Sequence, residues 1–99
     1  MEPPREEMYR DFLCEMGRRI CTGALSPADG CAELARVHGG NVTRVELEPF
    51  YLLQCCIDDL KAGQMQWYCP GVSLETFDDE VLAKALELVT QNCPNEAAP

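Results

Sequence analysis

Basic residues and imidazole are scarce in this chain. Its 99 residues include 8 lysines and arginines against 17 aspartates and glutamates, for a formal net charge of −9, and a single histidine. Nucleic-acid phosphates and anionic membrane surfaces both favour lysine and arginine, so we expect neither as a partner. The apolar stretch at residues 49–57 is interrupted by Gln54 and is far shorter than the roughly 18 residues of a membrane-spanning helix.

The amino-terminal sequence MEPPREE lacks the basic start and the apolar run of a secretory signal, so we expect a cytoplasmic protein. A chain of this length has room for one small core. Its 46% hydrophobic and 25% charged residues are ordinary for a globular protein. We therefore expect residues 1–99 to form one domain, with residues 1–4 and 94–99 as frayed tails.

The chain also lacks the motifs that carry common enzymatic chemistry. It has no G-x-G-x-x-G, G-x-x-x-x-G-K-[ST], G-x-S-x-G or H-E-x-x-H sequence. A nucleophilic cysteine would need a neighbouring base. The only imidazole is His38, at the predicted end of a helix, where its charge would favour the negative helix end. A pairing of His38 with a cysteine in space stays open, but we expect no enzyme, no catalytic residue and no cofactor.

Apolar residues recur every three or four positions in four segments, which is the pattern of amphipathic helices. The segments cover approximately residues 6–22, 27–38, 48–62 and 77–92. No segment shows sustained alternation, and only residues 42–47 are a plausible short strand. Four amphipathic helices with short links predict an all-α, compact single-domain bundle.

Several residues mark where these helices begin and how they pack. Ser26, ahead of a proline, predicts the start of the second helix. Pro49 favours a short turn before the third helix, and Thr76 with Asp79 resembles a capping box before the fourth. Gly17 lies inside the first helix, where glycine costs about 1 kcal/mol relative to alanine. It therefore indicates the close approach of another helix.

Cysteine, by contrast, is abundant, with seven residues: Cys14, Cys21, Cys31, Cys55, Cys56, Cys69 and Cys93. The odd number, the missing export signal and a helical core that needs no cross-links argue against a disulfide framework. No C-x-x-C pair exists, and we expect no metal site, because zinc ligands usually come as closely spaced pairs. We expect most of these cysteines to be small buried hydrophobic residues.

The negative charge is concentrated near the C-terminus. Residues 64–99 contain one basic and six acidic residues, and Glu75, Asp78, Asp79 and Glu80 cluster around the start of the fourth helix. Acids at that position complement the helix dipole. Four of them within six positions also repel one another, which makes a basic partner surface a reasonable second interpretation.

Trp67 and Tyr68 lie in the longest predicted connection, just before these acids. Tryptophan and tyrosine are frequent anchors of protein interfaces. An aromatic loop of this kind also often folds back to close the core of a small bundle. The sequence leaves both interpretations open.

We predict a small acidic protein-binding module, a non-enzymatic inhibitor that masks a basic enzyme or toxin. In size and charge it is similar to bacterial immunity proteins, which mask nuclease-type toxins, and the likeness is one of shape and charge without a shared motif. The predicted partner-binding residues are Asp58, Asp59, Trp67, Tyr68, Glu75, Asp78, Asp79 and Glu80.

Two other function classes remain. The chain could be a structural or regulatory protein that homodimerises or docks on a larger assembly, with Leu25, Leu52 and Leu74 in the interface. The number of cysteines also suggests a thiol redox or metal sensor, although their spacing and the single histidine weaken that interpretation.

Overall fold

Four α-helices form where the apolar residues recur at helical spacing. The computed structural model describes residues 5–41, 43–65 and 68–93. Within them, α1 spans Arg5–Thr22, α2 Pro27–His38, α3 Glu48–Lys61 and α4 Phe77–Asn92. The predicted all-α bundle is confirmed, and each helix end differs by at most one residue from its predicted position. The expected frayed tails, residues 1–4 and 94–99, lie outside the described residues.

The boundary of α2 follows the predicted capping chemistry, whereas that of α4 does not. The Ser26 side chain accepts a hydrogen bond from the backbone N–H of Asp29 at 3.1 Å. Thr76 precedes α4 without capping it through its side chain. Its Oγ1 instead accepts from the backbone N–H of Ser73 at 2.8 Å. The predicted capping box with Asp79 is therefore wrong, because the hydroxyl is used by the turn before the helix.

The segment before α3 is a turn and not a strand. Val45–Leu47 forms a single 3₁₀ turn, closed by a hydrogen bond from the N–H of Leu47 to the carbonyl of Arg44 at 3.1 Å. The helix then begins at Glu48, with Pro49 in its first turn, where a missing N–H costs nothing. The strand considered for residues 42–47 is thus wrong over 43–47, and the turn inferred from Pro49 is confirmed.

α1 and α4 pack closely in antiparallel directions. A disulfide joins Cys14 to Cys93, with 5.4 Å between their Cα atoms. Three residues further along α1, a Cβ added to Gly17 would lie 2.9 Å from Val89 Cγ2 and 3.1 Å from the Ala85 carbonyl oxygen. Gly17 therefore allows the two helices to approach, as its position in the sequence indicated.

The core lies where the helices face one another, with α1 packed mainly on α4 and α2 mainly on α3. Its largest fully buried side chains come from every helix and from the 3₁₀ turn: Leu13, Ile20, Leu34, Leu47, Phe50 and Val81. No helix in the described part of the chain is both long and apolar enough to cross a membrane.

Candidate functional site

Of the predicted partner-binding residues, Asp78 and Glu80 line two different depressions beside the start of α4. Asp78 and Glu80 lie two positions apart in one helix, hence about 200° apart around its axis. Asp78 lines a depression against α2 and α3, and Glu80 lines another against the connection at 69–72. Asp79 lies between them and is exposed. The acids therefore surround the first turn of α4 and do not share one face.

The first depression, here called the acidic groove, has a volume of about 360 Å³. Apolar side chains from α3 and α4 line it, including Ile57 and Phe77, with the exposed Leu74 beside them. Asp29, in the first turn of α2, and Asp78, in the first turn of α4, supply its carboxylates. Acids from two separate helices thus meet at one apolar surface.

Asp58 extends the same surface along α3. It is exposed, and its Oδ1 accepts a hydrogen bond from Gln54 Nε2 at 3.1 Å. Gln54 and Lys61 line the acidic groove with Ile57, so these residues and Asp58 follow one stripe of α3. Lys61 is the basic side chain among the groove-lining residues that the structure describes.

The carboxylates of this surface have no cationic partner within the described residues. Salt bridges there join Arg19 to Glu15, Arg36 to Glu33, His38 to Glu48 and Lys84 to Glu87. Asp29, Asp58, Asp78 and Asp79 take part in none of them, and Glu75 is exposed with a hydrogen bond from Ser73 at 3.4 Å. Their carboxylates therefore stay available to a partner, with Lys61 as the nearby cation that lines the same groove.

Asp59 and Tyr68 form an internal contact. The Tyr68 hydroxyl donates a hydrogen bond to Asp59 Oδ2, and this bond raises the pKa of Tyr68. Tyr68 is half-buried against α3. The pair fastens the connection between α3 and α4 to the helix that precedes it, whereas Trp67 lies outside the described residues.

The second depression, here called the thiol cavity, has a volume of about 320 Å³ and a mostly apolar lining. Leu52 and Val72 contribute to that lining, with Cys69 at its wall. Glu80 and Lys84 of α4 and Glu48 of α3 are its charged residues. It therefore combines an apolar surface, a thiol and a small excess of negative charge.

The cysteines differ from one another more than we expected from the sequence. Cys14 and Cys93 are bonded, so the argument against disulfides is wrong for this pair. Of the free cysteines, only Cys31 and Cys56 are buried; Cys55 and Cys69 are half-buried and Cys21 is exposed. The expectation of mostly buried thiols therefore applies to a minority of them, because burial depends on which side of a helix faces the core.

His38 holds the end of α2 to the start of α3. The ring is 2% exposed and lies against Tyr51, with 4.6 Å between the ring centroids. Nδ1 accepts from the backbone N–H of Gly40 at 3.0 Å, which leaves Nε2 to donate to Glu48 Oε2 at 2.7 Å. Both ring nitrogens are engaged, so His38 has a structural role here.

The acidic groove contains residues that reading the sequence did not single out. These residues are Asp29, in the first turn of α2, and the apolar Ile57 and Phe77. The signal available was the presence of acids in the first turns of two helices. Which of them face each other depends on how the helices pack.

Across the described ranges, no group of three or more histidine, cysteine or acidic residues is arranged to hold a metal ion.

Comparisons of this chain with protein families, with curated proteins and with solved structures found no match.

Proposed function

We propose that this chain is a non-enzymatic protein-binding module that takes a basic protein, such as an enzyme or toxin that it inhibits, on the acidic groove. The observation that carries the proposal is the meeting of Asp29 and Asp78 above an apolar surface formed by Ile57 and Phe77. Neither carboxylate has a salt-bridge partner among the described residues. The net charge of −9 would assist the encounter with a basic surface.

A lysine or arginine side chain suits the groove for two reasons. Its aliphatic stem can lie along the apolar surface while its charged head reaches the carboxylates. Hydrogen bonds between such a head and a carboxylate are stronger than those between neutral groups. The exposed acids nearby, Asp58, Glu75 and Asp79, would steer the partner during its approach.

The decisive comparison is between Asp78→Lys and Asp79→Lys. Both variants reverse one charge in the first turn of α4 and so carry a similar helix-dipole penalty, about 0.3–1 kcal/mol. Only Asp78 lines the acidic groove. We expect the immobilised wild-type chain and Asp79→Lys to retain a basic protein from native lysate at low salt. Asp78→Lys should lose most of it.

Salt and circular dichroism complete this experiment. High salt should release the partner from the wild-type chain, because the attraction between exposed charges is screened. Helical circular dichroism should be the same for all three proteins. Retention that is insensitive to salt, or equally weak in both variants, would count against the acidic groove as the binding surface.

A second candidate function rests on exposed leucines. Leu82 and Leu86 lie one turn apart on α4 and are 37% and 59% exposed, and Leu74 is 58% exposed. Of the other leucines considered for an interface, Leu25 packs against the core and Leu52 lines the thiol cavity. Homodimerisation or docking through α4 would bury the exposed side chains of Leu82 and Leu86. Light scattering that gives a monomer mass at high protein concentration would exclude an obligate dimer.

The compartment bears on either function. A cytoplasmic protein is our expectation, whereas a bond such as Cys14–Cys93 persists mainly in oxidising compartments. Intact-mass measurement of protein alkylated directly in the native cells distinguishes the two. If Cys14 carries the alkyl group, its thiol was free in the cells, which would indicate a reducing compartment.

A further inference from the structure

The thiol cavity has the size and the lining of a small-molecule site. Its volume of about 320 Å³ lies near the lower end of ligand pockets in proteins, which is about 300–1,000 Å³. It lies between α3, the connection at 69–72 and α4. Its apolar side chains come from the first two of these elements: Pro49, Leu52, Leu53, Pro70 and Val72. An apolar part of a ligand would therefore lie against α3 and the connection.

Glu80 gives this cavity a carboxylate without a salt-bridge partner among the described residues. It is half-buried and takes part in none of the salt bridges found there. Lys84, one turn later on α4, would be a favourable i,i+4 partner. Its Nζ instead lies 3.5 Å from Glu87 Oε2. The charge of Glu80 is therefore available to a ligand.

Glu48 adds a second negative charge, and a buried histidine holds it in place. Its Oε2 accepts a hydrogen bond at 2.7 Å from His38 Nε2. His38 Nδ1 accepts from the Gly40 N–H, so the ring is neutral and leaves the charge of Glu48 intact. Among the lining residues that the structure describes, two carboxylates and one ammonium group thus accompany a mostly apolar surface.

We propose that the thiol cavity binds a small organic ammonium ion that carries an apolar group, such as an arylalkylamine. The apolar group lies against Leu52 and Val72, and the ammonium group pairs with Glu80. Glu48 contributes to a negative potential that attracts cations and repels anions. No described residue lines both this cavity and the acidic groove, so the proposal does not depend on the basic protein partner.

The cavity requires both parts of such a ligand. Removing the apolar lining from water favours binding in proportion to the area that the apolar group covers. An ammonium group strengthens the complex through a charge-assisted hydrogen bond to a half-buried carboxylate. An uncharged apolar ligand would cover Glu80 without giving it a partner, which is unfavourable. An ammonium ion without an apolar group would gain only the exposed part of the electrostatic attraction.

Four probes that differ in one part each test this chemistry. Phenethylamine has both parts, ethylamine lacks the ring, phenethyl alcohol lacks the charge and hydrocinnamate reverses it. In titrations of the isotope-labelled full chain, phenethylamine should shift the amide resonances of residues that line the thiol cavity. Its dissociation constant should be severalfold lower than those of the other three probes. Binding of any of these three that is as tight, or the absence of shifts at the cavity, would overturn the proposal.

Two variants in the first turn of α4 test the ion pair. Glu80→Gln removes a charge and keeps the size of the side chain. Asp79→Asn makes the equivalent change at the adjacent exposed residue, which lines neither depression. Glu80→Gln should weaken the binding of phenethylamine severalfold and that of phenethyl alcohol little, whereas Asp79→Asn should bind as the wild type does. Equal losses in the two variants would contradict a pairing with Glu80.

A larger side chain at position 52 tests whether the ligand occupies the cavity. Leu52 is half-buried in its lining, so Leu52→Trp should fill part of the space and abolish the binding of phenethylamine. Binding that persists in this variant, with unchanged circular dichroism, would contradict the location.

Cys69 reports on occupancy without any change to the cavity. It is half-buried and lines the cavity, whereas the equally half-buried Cys55 is absent from the described lining. The chain used is Cys21→Ser, which removes the exposed thiol. Saturating phenethylamine should slow the alkylation of Cys69 by iodoacetamide severalfold and leave the rate at Cys55 unchanged, as read from fragment masses. No slowing at Cys69, or equal slowing at both thiols, would overturn the proposal.

Discussion

The two ends of α4 take part in different kinds of structure. Around Gly17 and the Cys14–Cys93 bond, α4 approaches α1 so closely that a side chain at position 17 would displace Val89. At its first turn, α4 follows the non-helical residues 68–76, and the acidic groove and the thiol cavity open on either side. We call these the closed end and the open end. Stability should depend mainly on the first and binding or reactivity on the second.

The largest change in stability should come from removing the disulfide at the closed end. Cys14→Ser should lower the free energy of unfolding by about 2–4 kcal/mol, because the bond restrains a long loop in the unfolded chain. The sequence separation of the bonded cysteines is 79. Urea unfolding with and without reductant measures the loss.

Cys14→Ser also provides the control, since reductant should then change its stability little further. Retention of the basic partner should survive, because the acidic groove lies at the other end of α4. If reductant does not change the urea unfolding of the wild-type chain, the disulfide contributes nothing to its stability.

The next effect concerns close packing at the same end. Gly17→Ala should destabilise the protein by about 1–3 kcal/mol through overpacking against Val89 and the Ala85 carbonyl. This outweighs the gain of about 1 kcal/mol from replacing glycine in a helix. Urea unfolding of Gly17→Ala, Val89→Ala and the double variant forms a cycle. Additive losses would mean that Val89 is not the obstacle.

A smaller loss of stability should come from ionisation of Cys31, a thiol in the core, at high pH. Burial, with help from Asp58 and Cys55, raises the pKa of Cys31 from 9.0 to about 12. Because the folded pKa is the higher one, the stabilisation is complete below about pH 9 and is lost as the pH rises towards 12. At pH 10 the loss should be about 1.4 kcal/mol.

The measurement is urea unfolding in deaerated buffer at pH 8 and pH 10. Cys31→Ala should show a smaller decrease with pH than the wild type, whatever its stability at pH 8. Cys21→Ser, which changes an exposed thiol, should retain most of the wild-type decrease. Parallel decreases in wild type and Cys31→Ala would mean that Cys31 does not titrate in this range.

The smallest global effect should come from the open end itself. Tyr68→Phe removes the hydrogen bond to Asp59 at a half-buried position, so overall stability should change less than in the variants above. Amide hydrogen exchange should accelerate locally in residues 68–72, which that bond fastens to α3. Exchange that speeds up equally in α1 would show that the two ends are not separable.

Local chemistry made much of the fold predictable. The apolar spacing of the four segments, the Ser26 cap and the turn before Pro49 each depend on residues close in sequence, and each is confirmed. Thr76 shows where that approach fails. A hydroxyl with two available N–H donors can satisfy either, and the turn at Ser73 takes it.

The candidate site was less predictable because it depends on contacts between residues that are far apart in the sequence. The excess of acids in residues 64–99 was visible, but Asp59 turned out to be held by Tyr68, and Asp78 and Glu80 point into different depressions. Asp29, about fifty positions before Asp78, completes the acidic groove. Contacts between residues so far apart leave no local pattern.

By itself, the sequence determined the helices, their approximate ends, the net charge of −9 and the absence of common catalytic motifs, because each follows from residue types and short-range spacing. Only the tertiary structure decided which cysteines bond, which thiols are buried and which acids line the same apolar surface. Those outcomes depend on the mutual orientation of the helices. Orientation is determined by side-chain packing and by one close approach at Gly17, not by any stretch of the chain alone.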